Sequence, residues 1–215
     1  PMARNELVDA ATARAFNSYA GASKPEPPHL MVEFHGTPAA VAEQSEMFGA
    51  IADEMGGKGF NWATKAEDRT ALWKMRHNAY YAILASRAGA RALVTDLCVP
   101  ISMLAEAINE TVADIDSSFL TGPIVGHVGD GNFHSALLIE EDNPHDLEEA
   151  LRLSERMVER ALRMGGPVTG AHGVGMGKMK YMEREHGGGW DVMGQIKRAM
   201  DPQNILNPGK LVRGN

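Results

Sequence analysis

Cysteine is nearly absent: Cys98 stands alone in 215 residues. An intramolecular disulfide is therefore impossible, and a zinc site built from cysteines is excluded. One thiol is compatible with a reducing compartment. Long apolar runs are missing too, since no stretch approaches the roughly 20 residues of a spanning helix. Nothing at the N-terminus reads as a signal peptide. These absences lead to the expectation of a cytoplasmic protein. Positive charge is in deficit: 21 Lys and Arg face 28 Asp and Glu, for a formal net charge of −7. An acidic chain without a basic run repels phosphate backbones, so nucleic acid is not an expected partner.

What is present is an alternation of helical and strand patterns. Leu7, Ala11, Ala15 and Tyr19 at helical spacing predict a helix over Glu6–Tyr19. A Pro-rich break covers Ser23–Pro28. His29–His35 reads as a strand. Thr37-Pro38 then opens a helix that reaches about Met55 and stops at Gly56-Gly57. A short strand is expected near Phe60–Ala63, a long helix over Ala66–Ser86 and a strand over Arg91–Val99. A helix over Ser102–Ile115 precedes a hairpin over Pro123–Ile139. Asn143-Pro144 starts a helix over His145–Met164, followed by a Gly-rich loop and two short helices. The hairpin implies antiparallel pairing, so the expected fold class is α+β, an antiparallel sheet with helices on one face. The length suits one large domain over 1–215 or two small subdomains sharing a core. Pro1 ahead of Met2 reads as a cut site or cloning remnant, and the chain as a fragment.

The densest chemical signal is Gly126-His127-Val128-Gly129-Asp130-Gly131-Asn132-Phe133-His134. Asp130-Gly131 is a two-residue turn signal. With that turn at the tip, His127 pairs with His134, and directly opposite residues share a face with Cβ atoms about 4.5–5.5 Å apart. Two imidazoles at that spacing can share a divalent metal at about 2.0–2.1 Å each. The plain alternative is a pair of polar strand residues near a turn. Two ligands are too few, so a third must come from elsewhere.

A second signal is Thr169-Gly170-Ala171-His172-Gly173-Val174-Gly175-Met176-Gly177-Lys178. Its spacing fits neither a Walker loop nor a dinucleotide fingerprint. Glycines allow close approach of backbone to a ligand, and His172 among them can act as a general base. The alternative is a connector with an incidental histidine. On the long helix, Trp73, Arg76 and Tyr80 fall on one face. An arginine beside aromatics can clamp a carboxylate bidentately, or can simply snorkel over an apolar stripe.

Taken in order, these segments resemble the C-terminal domain of FAD-linked oxidases, in the branch of D-lactate and D-2-hydroxyglutarate dehydrogenases. Further carriers are Phe34-His35-Gly36, Leu72 to Ala79, Thr95-Asp96-Leu97-Cys98-Val99-Pro100-Ile101-Ser102, Asp201-Pro202-Gln203-Asn204 and Asn207-Pro208-Gly209-Lys210. The resemblance covers about Met31 to Lys210. It implies a ferredoxin-like substrate and cap domain over 1–215, with the N-terminal FAD-binding domain absent. It also implies FAD as hydride acceptor and a divalent metal, zinc or manganese, that holds the substrate.

By the same resemblance, His127 and His134 fall on metal-ligand positions and His172 on the base. Arg76 and Tyr80 fall on substrate-binding positions, and Asn207 on a loop that approaches the flavin. The implied partners are a small D-2-hydroxy acid, D-lactate above all, and an electron acceptor such as a quinone, a cytochrome or an electron-transfer flavoprotein. Peripheral membrane association and a homodimer stay open. One departure matters. The family pattern Thr-Gly-Glu-His-Gly has Ala171 in place of its Glu, which normally supplies the third metal ligand. Metal is therefore expected to bind weakly. The positions that serve a larger diacid hold Tyr80 and Val94, which favours a small monoacid. Without a flavin half, the isolated chain is expected to be inactive; a small-acid or metal-binding module without catalysis is the other reading.

Overall fold

The computed structural model describes residues 2–21 and 26–213. Pro1 and part of the Pro-rich break at Ser23–Pro28 lie outside the described residues. The chain starts with a strand, not a helix: β1 spans Met2–Val8 and α1 spans Ala10–Ala20. Asp9 sets the boundary, because its carboxylate accepts the Thr12 N–H at 2.7 Å and caps the helix. β2 (His29–Phe34) and α2 (Pro38–Glu54) follow, with Thr37 as the N-cap. Next come α3 (Ala66–His77), α4 (Ala79–Ala85), β3 (Ala90–Val94), β4 (Leu97–Cys98) and α5 (Leu104–Asp116). The hairpin strands are β5 (Ile124–His127) and β6 (Asn132–Glu140), and α6 spans Pro144–Arg163. α7 (Met182–His186) and α8 (Gly188–Met200) close the chain. Among the described residues, no helix is long and apolar enough to cross a membrane.

The class is α+β with an antiparallel sheet, ordered β2-β1-β5-β6-β3, and with β4 also on β6. β6 is its spine and is buried at every residue except Glu140. Phe133, Leu137 and Ile139 pack with Leu104, Ala107 and Ile115 of α5 and with Leu153 and Met157 of α6. Ala136 and Leu138, on the other side, pack with Phe16 of α1 and Ala82 and Ile83 of α4. Helices therefore cover both faces of this strand rather than one. The reason is the unbroken apolar run Ala136-Leu137-Leu138-Ile139, since a strand with one wet face would alternate. Each such fully buried Leu or Phe contributes roughly 1.5–3 kcal/mol of transfer free energy.

Three expected elements are redrawn. The helix over Ala66–Ser86 breaks at Asn78, where the Asn78 N–H is shared between the carbonyls of Lys74 and Met75. The strand over Arg91–Val99 is interrupted at Thr95-Asp96, where the Thr95 hydroxyl oxygen accepts the Ser135 N–H at 2.9 Å in place of a ladder bond. No strand forms near Phe60–Ala63. Its aromatics stack instead, with Phe60 and Trp62 centroids 5.8 Å apart and Phe60 edge-on to Phe48 of α2 at 5.9 Å.

The hairpin register also differs from the two-residue turn. His127 pairs with Asn132, Gly126 with Phe133 and Val125 with His134. The tip is a 3-10 turn over Val128–Asp130 closed by Gly131 at φ 74°. A Cβ at Gly131 would lie 2.1 Å from the Val99 carbonyl oxygen, so glycine is required there by space as well as by φ. The slip is two residues, an even number, and side chains keep their faces. His127 and His134 remain on one face as diagonal neighbours.

Candidate active site

β5, β6 and the glycine-rich loop bring three histidines together. The His134 and His172 rings stack face to face, with centroids 4.6 Å apart and planes 5° from parallel. His127 meets His134 edge-on, at 5.7 Å and 81°. Two of the rings have their tautomers set. His134 Nδ1 lies 3.1 Å from the Thr95 carbonyl oxygen, which can only accept, so Nδ1 carries the proton. His127 Nδ1 lies 2.7 Å from Glu6 Oε1, which fixes the same tautomer. In the neutral form of either ring, Nε2 is the nitrogen with the lone pair. Burial pushes the His134 imidazole pKa down, and the neighbouring His172 adds to this, so His134 is held neutral.

Asp96, in the gap between β3 and β4, ties the glycine-rich loop to this cluster. One carboxylate oxygen accepts from Asn132 Nδ2 at 3.0 Å and from the Ala171 N–H at 3.1 Å. The other accepts from the Thr169 hydroxyl at 2.7 Å and from the His172 N–H at 2.8 Å. Lys178 reaches back to donate to the Asp96 carbonyl at 2.9 Å. Burial by itself would raise the Asp96 pKa, yet the hydrogen bonds from Thr169, His172, Asn132 and Ala171 outweigh it and hold the carboxyl well below the usual range. Gly170 is needed for this packing, because a Cβ there would lie 2.0 Å from Asn132 Nδ2.

Arg76, near the end of α3, pairs with Glu6 at 2.8 Å, and both side chains are only 12% exposed. The other Glu6 oxygen holds His127, so one carboxylate links the arginine helix to the histidines. Arg76 Nε and Asn132 Oδ1 are buried and have no hydrogen-bond partner among the described residues. Tyr80 lies beyond the break at Asn78, is exposed, and has its ring against Tyr81. Asn207 is exposed in a loop at φ 48°, whose Leu211 N–H bonds the Gly175 carbonyl of the glycine-rich loop at 3.0 Å. The structure thus gathers His127, His134, His172 and Arg76; Tyr80 and Asn207 sit at its margins. Sequence reasoning passed over Glu6, Asp96 and Asn132. An aspartate inside an otherwise apolar strand pattern was the available signal for Asp96.

One group of three among the described residues meets ligand spacing: Asp96, His134 and His172, with donor atoms within 4.8 Å of one another. It does not suit a single ion. A metal lies in the plane of each imidazole that binds it, at about 2.0–2.1 Å, and two parallel stacked rings share no such point. Both Asp96 oxygens are also engaged by two donors each. The His127 and His134 rings are nearly perpendicular and each has Nδ1 anchored, which leaves Nε2 as the nitrogen a metal would take. At position 171 the methyl of Ala171 offers no donor. With only these two imidazoles, the donor set is short of the three protein ligands of a catalytic zinc site.

Residues 1–211 match the family described as FAD linked oxidases, C-terminal domain. A probable mitochondrial D-lactate dehydrogenase of Danio rerio is 42% identical over 99% of this chain and 43% of its own length. A mitochondrial D-lactate dehydrogenase (cytochrome) of Arabidopsis thaliana is 42% identical over 98% of this chain and 37% of its own. The chain therefore spans less than half the length of these relatives. A solved 4-ethylphenol oxidase from Gulosibacter chungangensis shares the fold at TM-score 0.70 and 14% identity, over 98% of this chain and 47% of that one. The expected cytoplasmic location is overturned, since both of these D-lactate dehydrogenases are named mitochondrial. A match over residues 1–211 with such relatives leaves one assignment: the chain belongs to the FAD-linked oxidases, as their C-terminal domain.

Proposed function

We propose that this chain is the substrate-binding part of a flavin-dependent dehydrogenase of D-2-hydroxy acids, with D-lactate to pyruvate as its reaction. The observation that carries this reading is the convergence of His127, His134 and His172, with Arg76 joined to His127 through Glu6. The identity with D-lactate dehydrogenases supports the substrate class.

Arg76 would bind the acid's carboxylate through its guanidinium, which Glu6 holds in place. His172 would take the hydroxyl proton as general base, while the stacked, neutral His134 adds no charge beside it. Tyr80 would border the substrate's far end and exclude a diacid. Asn207 would lie where the C-terminal loop approaches the flavin. FAD, when bound, supplies the acceptor for the α-carbon hydride, which completes the oxidation to a 2-oxo acid. Zinc or manganese on His127 and His134, when bound, supplies polarisation of the substrate oxygens, and Ala171 leaves that ion weakly held. The electrons would pass on to a quinone, a cytochrome or an electron-transfer flavoprotein.

Ala171 favours a second reading, a small-acid or metal-binding module without catalysis. Titration of the chain with D-lactate and L-lactate, in the presence of manganese, tests both. Binding of D-lactate that is lost in His127→Ala/His134→Ala, with no turnover by the chain alone, is the expected result. Binding that survives this double substitution would reduce the histidines to structural hydrogen-bonding groups.

A further inference from the structure

Glu6 is the residue on which two otherwise separate parts of the site depend. It lies on β1 directly opposite His127 of β5 in the antiparallel register. Its two oxygens have different clients: Oε1 takes His127 Nδ1–H at 2.7 Å, and Oε2 takes Arg76 Nη2–H at 2.8 Å. The carboxylate is 12% exposed, so water does little to substitute for it. A carboxylate only accepts, and in the neutral imidazole this acceptance places the proton of His127 on Nδ1 and the lone pair on Nε2. The same charge balances a guanidinium that would otherwise stand nearly buried and unpaired.

We infer that Glu6 is a positioning residue: by serving Arg76 and His127 at once, it sets the imidazole tautomer that presents the Nε2 lone pair to the site. The inference rests on the functional reading above for its purpose, but its content is a proton position that can be read with neither metal nor acid bound.

The competition between the two clients gives a sharp consequence. In Glu6→Gln a single amide oxygen faces two donors. The guanidinium has no acceptor to offer, so the oxygen must serve Arg76. The amide NH2 then points at His127 Nδ1 and requires a lone pair there, which moves the ring proton to Nε2. The substitution therefore inverts the His127 tautomer. Removing the competitor restores it: in Glu6→Gln/Arg76→Met the amide oxygen is free to accept from Nδ1–H again.

The test is imidazole nitrogen-15 NMR of the metal-free chain above about pH 8, where an ordinary imidazole is neutral. The expected results are Nδ1–H for His127 in the parent, Nε2–H in Glu6→Gln, and Nδ1–H again in the double variant. A parent that already holds Nε2–H overturns the inference without any variant having to fold. So does a Glu6→Gln protein that keeps Nδ1–H, which is the outcome of a merely structural ion pair. Inversion without D-lactate binding would leave the Glu6 inference standing and sink the functional reading alone.

Discussion

Replacement of Asp96 by Asn is the perturbation with the largest local consequence. The side chains are nearly isosteric, so the effect is electrostatic. Each carboxylate oxygen accepts two hydrogen bonds, one pair from Asn132 Nδ2 and the Ala171 N–H, the other from the Thr169 hydroxyl and the His172 N–H. An amide supplies one oxygen and turns its NH2 toward the other pair. Each pair contains a backbone N–H that cannot rotate away, and a buried unsatisfied donor costs about 1–3 kcal/mol. Weakening of the remaining bonds from charge-assisted to neutral adds to this. We expect a loss of about 3 kcal/mol, a large share of the roughly 5–15 kcal/mol available to a domain. Urea unfolding followed by tryptophan fluorescence measures it, and amide hydrogen exchange at Ala171 and His172 locates it. The pH sign follows from the depressed carboxyl. The contribution of Asp96 is complete above its ordinary value of 3.8 and is given up only as pH falls through its lower folded value. Asp96→Asn should therefore weaken the fold at neutral pH and abolish this part of the acid dependence. A stability change under about 0.5 kcal/mol, with unchanged exchange at both amides, would refute the role of Asp96 in tying the glycine-rich loop to the histidines.

Three further outcomes are expected. Gly170→Ala places a Cβ 2.0 Å from Asn132 Nδ2 and 2.8 Å from Asp96 Oδ1; it should cost about 1–3 kcal/mol in urea unfolding and separate the His134 and His172 rings, seen as a loss of their mutual ring-current shifts. Ala171→Glu should tighten manganese or zinc binding by more than about 100-fold, or about 2.7 kcal/mol, in equilibrium dialysis; unchanged affinity would mean that position 171 does not face the ion. Arg160 is 6% exposed and is held by Glu110, Asp114 and Thr111. Arg160→Ala should cost about 1–3 kcal/mol by thermal or urea unfolding, because it removes the buried arm of the link between α5 and α6 while Glu110 keeps Arg163 and Asp114 keeps Arg156.

What the sequence disclosed depended on how local the signal was. Thr37-Pro38 and Asn143-Pro144 cap their helices as read, because N-cap chemistry needs only neighbouring residues. The histidine cluster was legible because parity along a strand survives a register slip of two. β1 was not, since Arg4, Asn5 and Glu6 interrupt its apolar pattern and its stability comes from pairing with β2 and β5. Helical spacing from Leu7 onward then masked the cap at Asp9. Glu6 was lost with the strand. Asp96 was passed over because its worth lies in donors 73 to 76 residues away, a relation that periodicity does not carry. The unbroken apolar run in β6 is the cue in the sequence to a core on both faces of that strand.

The central claim is that these histidines and Arg76 hold a D-2-hydroxy acid for oxidation by a flavin. Anaerobic addition of D-lactate to the polypeptide that joins this chain to a flavin-binding half tests it most directly, with flavin absorbance as the readout. The account predicts bleaching by D-lactate, little by L-lactate, and its loss in His172→Ala with the flavin still bound. Flavin that D-lactate leaves oxidised, or that bleaches equally without His172, would contradict it.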